Sequence, residues 1–358
     1  MNYEKYIARC IEIAKRGEYY VAPNPMVGAV LVGPNPDPSL KGREMILAEG
    51  WHEQYGGPHA EVNCFKNLSL TLRSREGMDM KDCTLFVSLE PCSHYGKTPP
   101  CAKLIIEKGV GKVVVGMLDP NPLVAGKGVA MLREAGIEVE VGVLEDECRE
   151  LNKRFLSLHE KHRPYVILKW AQTADGFIDR LRLTDRHADR EQTANADRPV
   201  HLNGALAIST MKTKEIVHRL RAENMAIMVG TNTVIMDNPR LLNTHWEGRN
   251  PIRVTIDRHG RIPADARIFG PEAETIVYRE RTDWPFITDD LAKRGIHSIL
   301  VEGGTTLLNH ILGTGIWDEI HVEVAPEITI GEGVAAPHID LPETYEEVDG
   351  HKLYTIKR

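Results

Sequence analysis

Apolar positions in this chain come in short, dense blocks separated by polar turns. Tyr3, Tyr6, Ile7, Cys10, Ile11 and Ala14 fall at helical spacing, with Glu4, Lys5, Arg9 and Glu12 between them. That spacing predicts an amphipathic helix, stopped at Gly17. Pro23-Asn24-Pro25 marks a turn, residues 27–32 read as a short buried strand, and Gly33-Pro34-Asn35-Pro36 makes a loop. Residues 84–89 and 112–117 are apolar throughout their middles and predict two more buried strands. Residues 102–108 and 129–135 are helical in pattern, the second closed by Gly136, and residues 138–143 alternate as a strand does. Strands alternating with helices predict an α/β sandwich with parallel pairs.

Residues 145–162 are charged and helical in pattern, and the domain boundary is placed in them, giving domains at 1–150 and 151–358. A second α/β pattern follows, with strands expected at 165–170, 226–229, 253–256, 275–278, 298–302 and 319–324. Helices are expected at 211–223, 289–295 and 305–313, and residues 180–204 read as one long polar loop. Neither an internal repeat nor a low-complexity tract interrupts the pattern.

The length of 358 residues agrees with two domains at ~150 residues each. With 42% hydrophobic and 27% charged residues the composition is that of a globular chain, which excludes collagen-like, disordered and coiled-coil classes. The net charge of −7 argues against a broad basic surface for duplex nucleic acid. No apolar run approaches the ~18–20 residues that span a bilayer. The first segment mixes charges into its apolar positions, unlike a signal peptide, so a cytoplasmic location with reduced thiols is expected. The six cysteines, at 10, 64, 83, 92, 101 and 148, then read as core thiols or metal ligands rather than as disulfides.

Pro58-His59-Ala60-Glu61 and Pro91-Cys92, with Cys101 further on, carry the first chemistry. One imidazole and two thiolates make a three-ligand zinc set, which leaves a fourth position open for water, the catalytic arrangement. Zinc lowers the pKa of such a water from ~15.7 toward ~7. Glu61, two residues after His59, is placed to take the water's proton and pass it to a leaving amine. A structural site would need a fourth protein ligand, for which only His94 is at hand. The other four cysteines lie in apolar or helical contexts and read as bystanders. His52 and His94 read equally as pocket or as loop residues. Asn24 reads as pocket or as turn residue, and Lys97 as a phosphate contact or a solvated lysine.

H-x-E with P-C-x-x-C is the signature of zinc nucleobase deaminases. Here eight residues, not two, separate Cys92 from Cys101. Pro-His-Ala-Glu with Glu-Pro-Cys-Ser-His-x-Gly-x-Thr-Pro-Pro-Cys resembles one branch, the pyrimidine deaminases of riboflavin biosynthesis. Asn24-Pro25-x-Val27-Gly28, Gly50-x-His52, Asp119-Pro120-Asn121-Pro122 and Gly126-x-Gly128 belong to the same resemblance, which covers roughly residues 1–150. It implies a cytidine-deaminase-like α/β/α fold, and it implies that Asn24 contacts the pyrimidine.

The second half lacks a G-x-G-x-x-G after a strand, so an ordinary dinucleotide fingerprint is not supported. Val301-Glu302-Gly303-Gly304-Thr305 instead ends a strand in two glycines and opens a helix, a geometry that either aims N–H groups at a phosphate or simply turns the chain. Lys169-Trp170-Ala171-Gln172-Thr173-Ala174-Asp175-Gly176, His218-x-Leu220-Arg221-Ala222, Val229-Gly230-Thr231-Asn232-Thr233-Val234 and Asp237-Asn238-Pro239 precede it. In that order, over roughly residues 163–340, they resemble the reductase half of bifunctional riboflavin deaminase-reductases. That resemblance implies a dihydrofolate-reductase-like α/β fold and NADPH. It implies that Ala171, Thr233, Asp237, Gly304, Thr305, Thr306, Leu307 and Leu308 bind the cofactor. It implies that Lys169, Arg221, Leu241 and Glu302 meet the substrate, although Arg221 also fits a solvated helix face and Leu241 a core. Two departures stand out. The family's Leu-Thr-x-Arg, whose arginine meets the ribose phosphate, is Leu241-Leu242-Asn243-Thr244 here, with Arg240, His245 and Arg249 nearby. Ala207 stands where many members have tryptophan.

The expected function is therefore zinc-dependent deamination of 2,5-diamino-6-ribosylamino-4(3H)-pyrimidinone 5′-phosphate. NADPH-dependent reduction of the ribosyl group of 5-amino-6-(5-phosphoribosylamino)uracil to ribityl follows it. The expected partner is a small phosphorylated pyrimidine, not nucleic acid or membrane, and a homo-oligomer is expected from the family. A deaminase with a non-catalytic reductase-like half is the alternative that Thr244 and Ala207 keep open. An RNA or nucleoside deaminase and a non-enzymatic zinc module are the further rivals.

Overall fold

The computed structural model describes residues 1–35, 44–71, 79–94, 99–121, 125–181 and 206–358. Lys97 and nearly all of the loop expected at 180–204 lie outside them. The chain divides into two compact units, Met1–His162 and Arg163–Arg358.

The first unit runs α1 (Tyr3–Ala14), β1 (Gly28–Pro34), β2 (Glu44–Trp51), α2 (Ala60–Thr71), β3 (Thr84–Leu89), α3 (Cys101–Lys108), β4 (Lys112–Met117), α4 (Lys127–Glu134), β5 (Glu138–Val141), α5 (Glu145–Leu151) and α6 (Lys153–Glu160). Its five-stranded sheet has the order β2-β1-β3-β4-β5. β3, β4 and β5 pair in parallel, whereas β1 pairs antiparallel with both β2 and β3. The expectation of parallel pairs thus holds for one side of the sheet only, because β1 and β2 form an antiparallel pair of neighbours in sequence. Strand residues alternate between two cores. Ala29, Leu31, Leu85, Val87, Val113 and Val115 face Ala60, Cys64, Ala102, Ile105 and Leu132 of α2, α3 and α4. Val30, Val32, Phe86 and Val114 face Ile7, Cys10 and Ile13 of α1 on the other side. This three-layer packing explains why β1, β3 and β4 are buried on both faces and carry apolar runs through their middles. Cys148 of α5 and Leu156 of α6 are buried in the same second core. The two charged helices therefore pack with the first unit, and the units meet at 162/163 rather than at 150/151.

The second unit runs β6 (Tyr165–Thr173), β7 (Phe177–Asp179), α7 (Met211–Glu223), β8 (Ala226–Val229), α8 (Thr231–Asp237), β9 (Ile252–Ile256), β10 (Thr275–Tyr278), α9 (Trp284–Lys293), β11 (Ser298–Glu302), α10 (Thr305–Thr314), β12 (Glu319–Ala325), β13 (Val334–Ala335), β14 (Glu346–Val348) and β15 (His351–Lys357). Eight strands form one sheet in the order β10-β9-β8-β11-β6-β12-β15-β14, and β7 pairs with β13. Every pairing from β10 to β12 is parallel; β15 and β14 are antiparallel additions at one edge. α9 starts before the expected residue 289, at Trp284. The Asp283 side chain caps it by accepting from Phe286 N, and Pro285 sits in its first turn, where the missing N–H has no cost. Among the described residues no helix is long and apolar enough to cross a membrane.

One glycine presses α2 onto the sheet and so sets the height of the residues that α2 carries. A Cβ at Gly50 would lie 2.2 Å from Cys64 N and 2.6 Å from Ala60 O. Both contacts are backbone, so relief requires moving the helix. Gly50→Ala is expected to lower the unfolding free energy of the protein by ~1–3 kcal/mol, the usual cost of overpacking. Denaturant midpoints of the two proteins measure it, and an unchanged midpoint would show that α2 is free to shift.

Candidate functional site

Three backbone segments converge at the carboxyl ends of β2 and β3, beside the amino end of β1. His59 lies just ahead of α2, Cys92 lies in the turn after β3, and Cys101 is the first residue of α3. His59 Nδ1 is 3.6 Å from Cys92 Sγ and 3.3 Å from Cys101 Sγ, and the three donor atoms all lie within 4.8 Å of one another. Donors bound to a tetrahedral zinc at ~2.0–2.3 Å stand roughly 3.5–3.8 Å apart, so the set fits that ion. His94 is exposed and is not in the cluster. The α3 amino end faces the thiols: Cys101 N donates to Cys92 Sγ at 3.2 Å and Ala102 N to Cys92 O at 3.1 Å. The Cys101 contact and the imidazole hold the Cys92 thiol well below the usual thiol range, and the same contact together with burial pushes Cys101 up. The remaining cysteines, 10, 64, 83 and 148, are buried.

Glu61, in the first turn of α2, is 3% exposed, and its Oε2 has no hydrogen-bond partner. An orphaned carboxylate oxygen is costly in a buried site. Here it lies against the ligand set, near enough to interact with His59 and Cys101. Burial raises its pKa, and His59 pulls it back down. His52 Nδ1–H donates to Pro58 O at 2.9 Å, which leaves Nε2 to accept from Asn24 Nδ2 at 3.0 Å. The His52 ring stands edge-on to His59 with centroids 5.7 Å apart. Burial lowers the His52 pKa, in keeping with a neutral ring. His52 thus links Asn24 to the three-ligand set.

Two residues that the sequence reading passed over hold this pocket together. Glu90, immediately before Pro91-Cys92, is buried, and its carboxylate accepts from Asp119 N at 3.1 Å, Gly126 N at 2.9 Å and Val129 N at 3.1 Å. It ties the thiolate turn to the 119–126 segment and to the start of α4. A Cβ at Gly128 would fall 1.9 Å from Pro91 O, so that glycine permits the same close approach. Asn152 bonds both backbone groups of Met26, at 2.8 and 3.0 Å, and fixes the segment that carries Asn24.

In the second unit the parallel strands end on one edge, where open α/β sheets bind ligands. β11 lies beside β6 and pairs Glu302 with Lys169. Arg221 of α7 clamps Glu302 with two bonds, at 2.9 and 2.7 Å, and donates a third to Leu242 O at 3.0 Å. Lys169 Nζ lies 3.9 Å from Glu323 Oε2; burial pushes its pKa down, and Glu302 and Glu323 oppose that. Lys169, Arg221 and Glu302 are thus one cluster, as expected. Leu241 and Arg221 line a cavity of about 250 Å³ with His218, Pro239, Arg240, Leu242, Thr244 and Arg267.

Gly303 and Gly304 both have positive φ, 69° and 78°, at the amino end of α10. The cradle is tight: a Cβ at Gly304 would meet Thr233 Oγ1 at 3.2 Å. Gly304, Thr305 and Thr306 open α10, and Thr233 of α8 lies against that amino terminus, which suits a cofactor phosphate. Ala171 lies half-buried on β6, and Asp237 is exposed at the end of α8. Leu307 and Leu308 put their side chains into the main core, so they meet a cofactor only through backbone. Thr244 offers no charge. Its N–H donates to His218 Nδ1 at 3.0 Å, and its hydroxyl bonds His245 Nδ1 at 2.9 Å. Ala207 is exposed.

A three-ligand zinc set with a buried carboxylate, joined to a second α/β unit with a phosphate-ready helix terminus, defines a zinc deaminase coupled to a reductase. Residues 1–117 match the family described as the cytidine and deoxycytidylate deaminase zinc-binding region, and residues 164–348 match the RibD C-terminal domain. The chain is 34% identical to the riboflavin biosynthesis protein RibD of Aquifex aeolicus, covering 98% of this chain and 94% of that one. It is also 34% identical to RibD of Escherichia coli, covering 92% and 89%. A diaminohydroxyphosphoribosylaminopyrimidine deaminase/5-amino-6-(5-phosphoribosylamino)uracil reductase from Thermotoga maritima superposes with a TM-score of 0.78 at 35% identity, covering 99% and 98%. This chain belongs to the RibD family and is a bifunctional enzyme of riboflavin biosynthesis, a deaminase joined to a reductase.

Two outcomes are expected. Elemental analysis should find about one zinc per wild-type chain, with loss in His59→Ala and retention in Glu61→Gln; zinc retained by His59→Ala would refute the ligand set. His218 has its pKa pushed to about 4, first by burial and then by Arg221 and His245. The unfolded chain then binds more protons than the folded one between about pH 4 and 6.5, so stability should rise with pH through that window. Urea midpoints against pH should show a shallower rise for His218→Asn, and an equal slope would contradict it.

Proposed function

We propose that the first unit removes the ring amino group of 2,5-diamino-6-ribosylamino-4(3H)-pyrimidinone 5′-phosphate, with His59, Cys92 and Cys101 as zinc ligands. Zinc, when bound, supplies the Lewis acidity that makes water a nucleophile near neutral pH. Glu61 takes the proton from that water and delivers it to the departing nitrogen, so that the C–N bond breaks, a C=O replaces it and ammonia leaves. The unpartnered Glu61 oxygen beside a three-ligand set is the observation that carries this reading. Asn24, oriented by His52, holds the pyrimidine edge, because its side-chain carbonyl stays available while its NH₂ is engaged.

The second unit reduces the ribosyl group of 5-amino-6-(5-phosphoribosylamino)uracil to ribityl. NADPH supplies the hydride. The hydride forms a C–H bond at the anomeric carbon, the bond from that carbon to the ring oxygen breaks, and the freed oxygen takes one proton. Lys169, buried between Glu302 and Glu323, is placed to give it. Arg221, Glu302 and Leu241 shape the substrate side, and Ala171, Thr233, Asp237 and residues 304–308 the cofactor side. The substrate is a small phosphorylated pyrimidine and not nucleic acid, which the net charge of −7 disfavours. A homo-oligomer in the cytoplasm belongs to the same proposal. Thr244 favours a second reading, in which only the deaminase is active.

The test supplies the diamino substrate with and without NADPH and follows ammonia and nicotinamide absorbance together. Wild type should release ammonia in both and oxidise NADPH in the first. Glu61→Gln should cut ammonia release by roughly 10²–10⁴-fold. It should leave oxidation of NADPH with the deaminated intermediate intact. Full deamination by Glu61→Gln would sink its assignment, and no oxidation by wild type would favour the second reading.

A further inference from the structure

A phosphate monoester needs cations, and at position 244 this chain has a hydroxyl already bonded to His245. The cavity beside it is nevertheless basic. Three of its lining residues are arginines, 221, 240 and 267, and none is acidic. Arg221 is neutralised by Glu302. His218 is uncharged near neutral pH, since its pKa is pushed to about 4 by burial and its neighbours. Arg240 shares an exposed pair with Glu272, which is outside the cavity lining, and such pairs hold weakly. No ion-pair partner of Arg267 occurs among the described residues.

The backbone segments that carry the two arginines are tied to one another. Arg253 is fully buried, and its guanidinium donates to the carbonyls of Arg240, Gly270 and Ala273. Arg267 N donates to Asn238 Oδ1 at 2.7 Å. Segments 238–241 and 267–273 are thus stitched together at several points. Asn238 and Leu241 both adopt left-handed backbone, at φ 42° and 53°. For a bulky residue such as Leu241 that is strained, and strain persists where the surroundings over-determine it, typically at ligand clamps.

We propose that Arg240 and Arg267 together grip the phosphate of the sugar substrate, in place of the arginine absent at 244. This rests on the reductase reading above. The ligand chemistry is a phosphomonoester dianion on a pentose, and the unphosphorylated sugar gains nothing from the site.

Ribose 5-phosphate and ribose are the probes, titrated by NMR into the full chain, alongside NADPH oxidation with the deaminated substrate. Arg240→Ala/Arg267→Ala should weaken ribose 5-phosphate roughly tenfold or more, the scale of lost charge-assisted bonds, and leave ribose unchanged. Adding Thr244→Arg to that double variant should restore phosphate binding, which a misfolded variant would not do. Equal affinity of wild type and double variant for ribose 5-phosphate would overturn the grip, as would an equal loss for ribose. Wild type that binds ribose 5-phosphate through these arginines but oxidises no NADPH would overturn the reductase reading and leave the grip standing.

Discussion

Three donor atoms from three separate backbone segments must meet within bonding reach of one ion, and most of the first unit serves that meeting. α2 brings His59 and Glu61, the turn after β3 brings Cys92, and α3 begins at Cys101. Helix amino termini at two of these places favour anionic sulfur and carboxylate. Gly50 and Gly128 let backbones approach closer than a Cβ allows, and the Glu90 carboxylate binds three N–H groups of the next loop and helix. The result is a three-donor set that would suit zinc, with a buried Glu61 oxygen that has no hydrogen-bond partner among the described residues. That oxygen is expensive in the folded chain, and the proton transfer proposed for Glu61 would account for its retention.

The second unit solves a different problem, that of charges held in a dry sheet edge. Lys169 and Arg221 face Glu302 and Glu323, two cations against two carboxylates, so the cluster is balanced as a whole. Glu323 is held further by Ser209 Oγ at 2.6 Å and His351 Nδ1 at 2.7 Å. Breaking one member of such a buried set leaves its partner uncompensated, which costs more than the pair itself contributes. Arg240 and Arg267, which line the neighbouring cavity, stand outside that balance.

How much of this was legible in the sequence depended on whether burial left a one-residue signature. β3, β4, β8, β10 and β11 were readable to the residue because each carries a short apolar run bounded by polar or turn residues. β2 was not, because its burial is irregular along Glu44–Trp51, and α2 was hidden behind the motif that opens it. β15 at the antiparallel edge has only partial burial and was missed too. The zinc ligands and Glu61 were legible because the chemistry admits few residue types at that spacing. Glu90, Asn152 and Glu323 were not: a carboxylate or amide that serves backbone N–H groups looks in sequence like any other. The charge near Thr244 was visible as a deficit, but which arginines stand across the cavity depends on Arg253 and two left-handed residues.

The central claim is a zinc site with three protein ligands and one open position. X-ray absorption at the zinc edge of the purified, zinc-loaded protein tests it most directly. The account predicts two sulfur scatterers at ~2.3 Å, one imidazole nitrogen and one light atom from solvent near ~2.0 Å. A shell with a second imidazole or a third sulfur, leaving no solvent ligand, would contradict it.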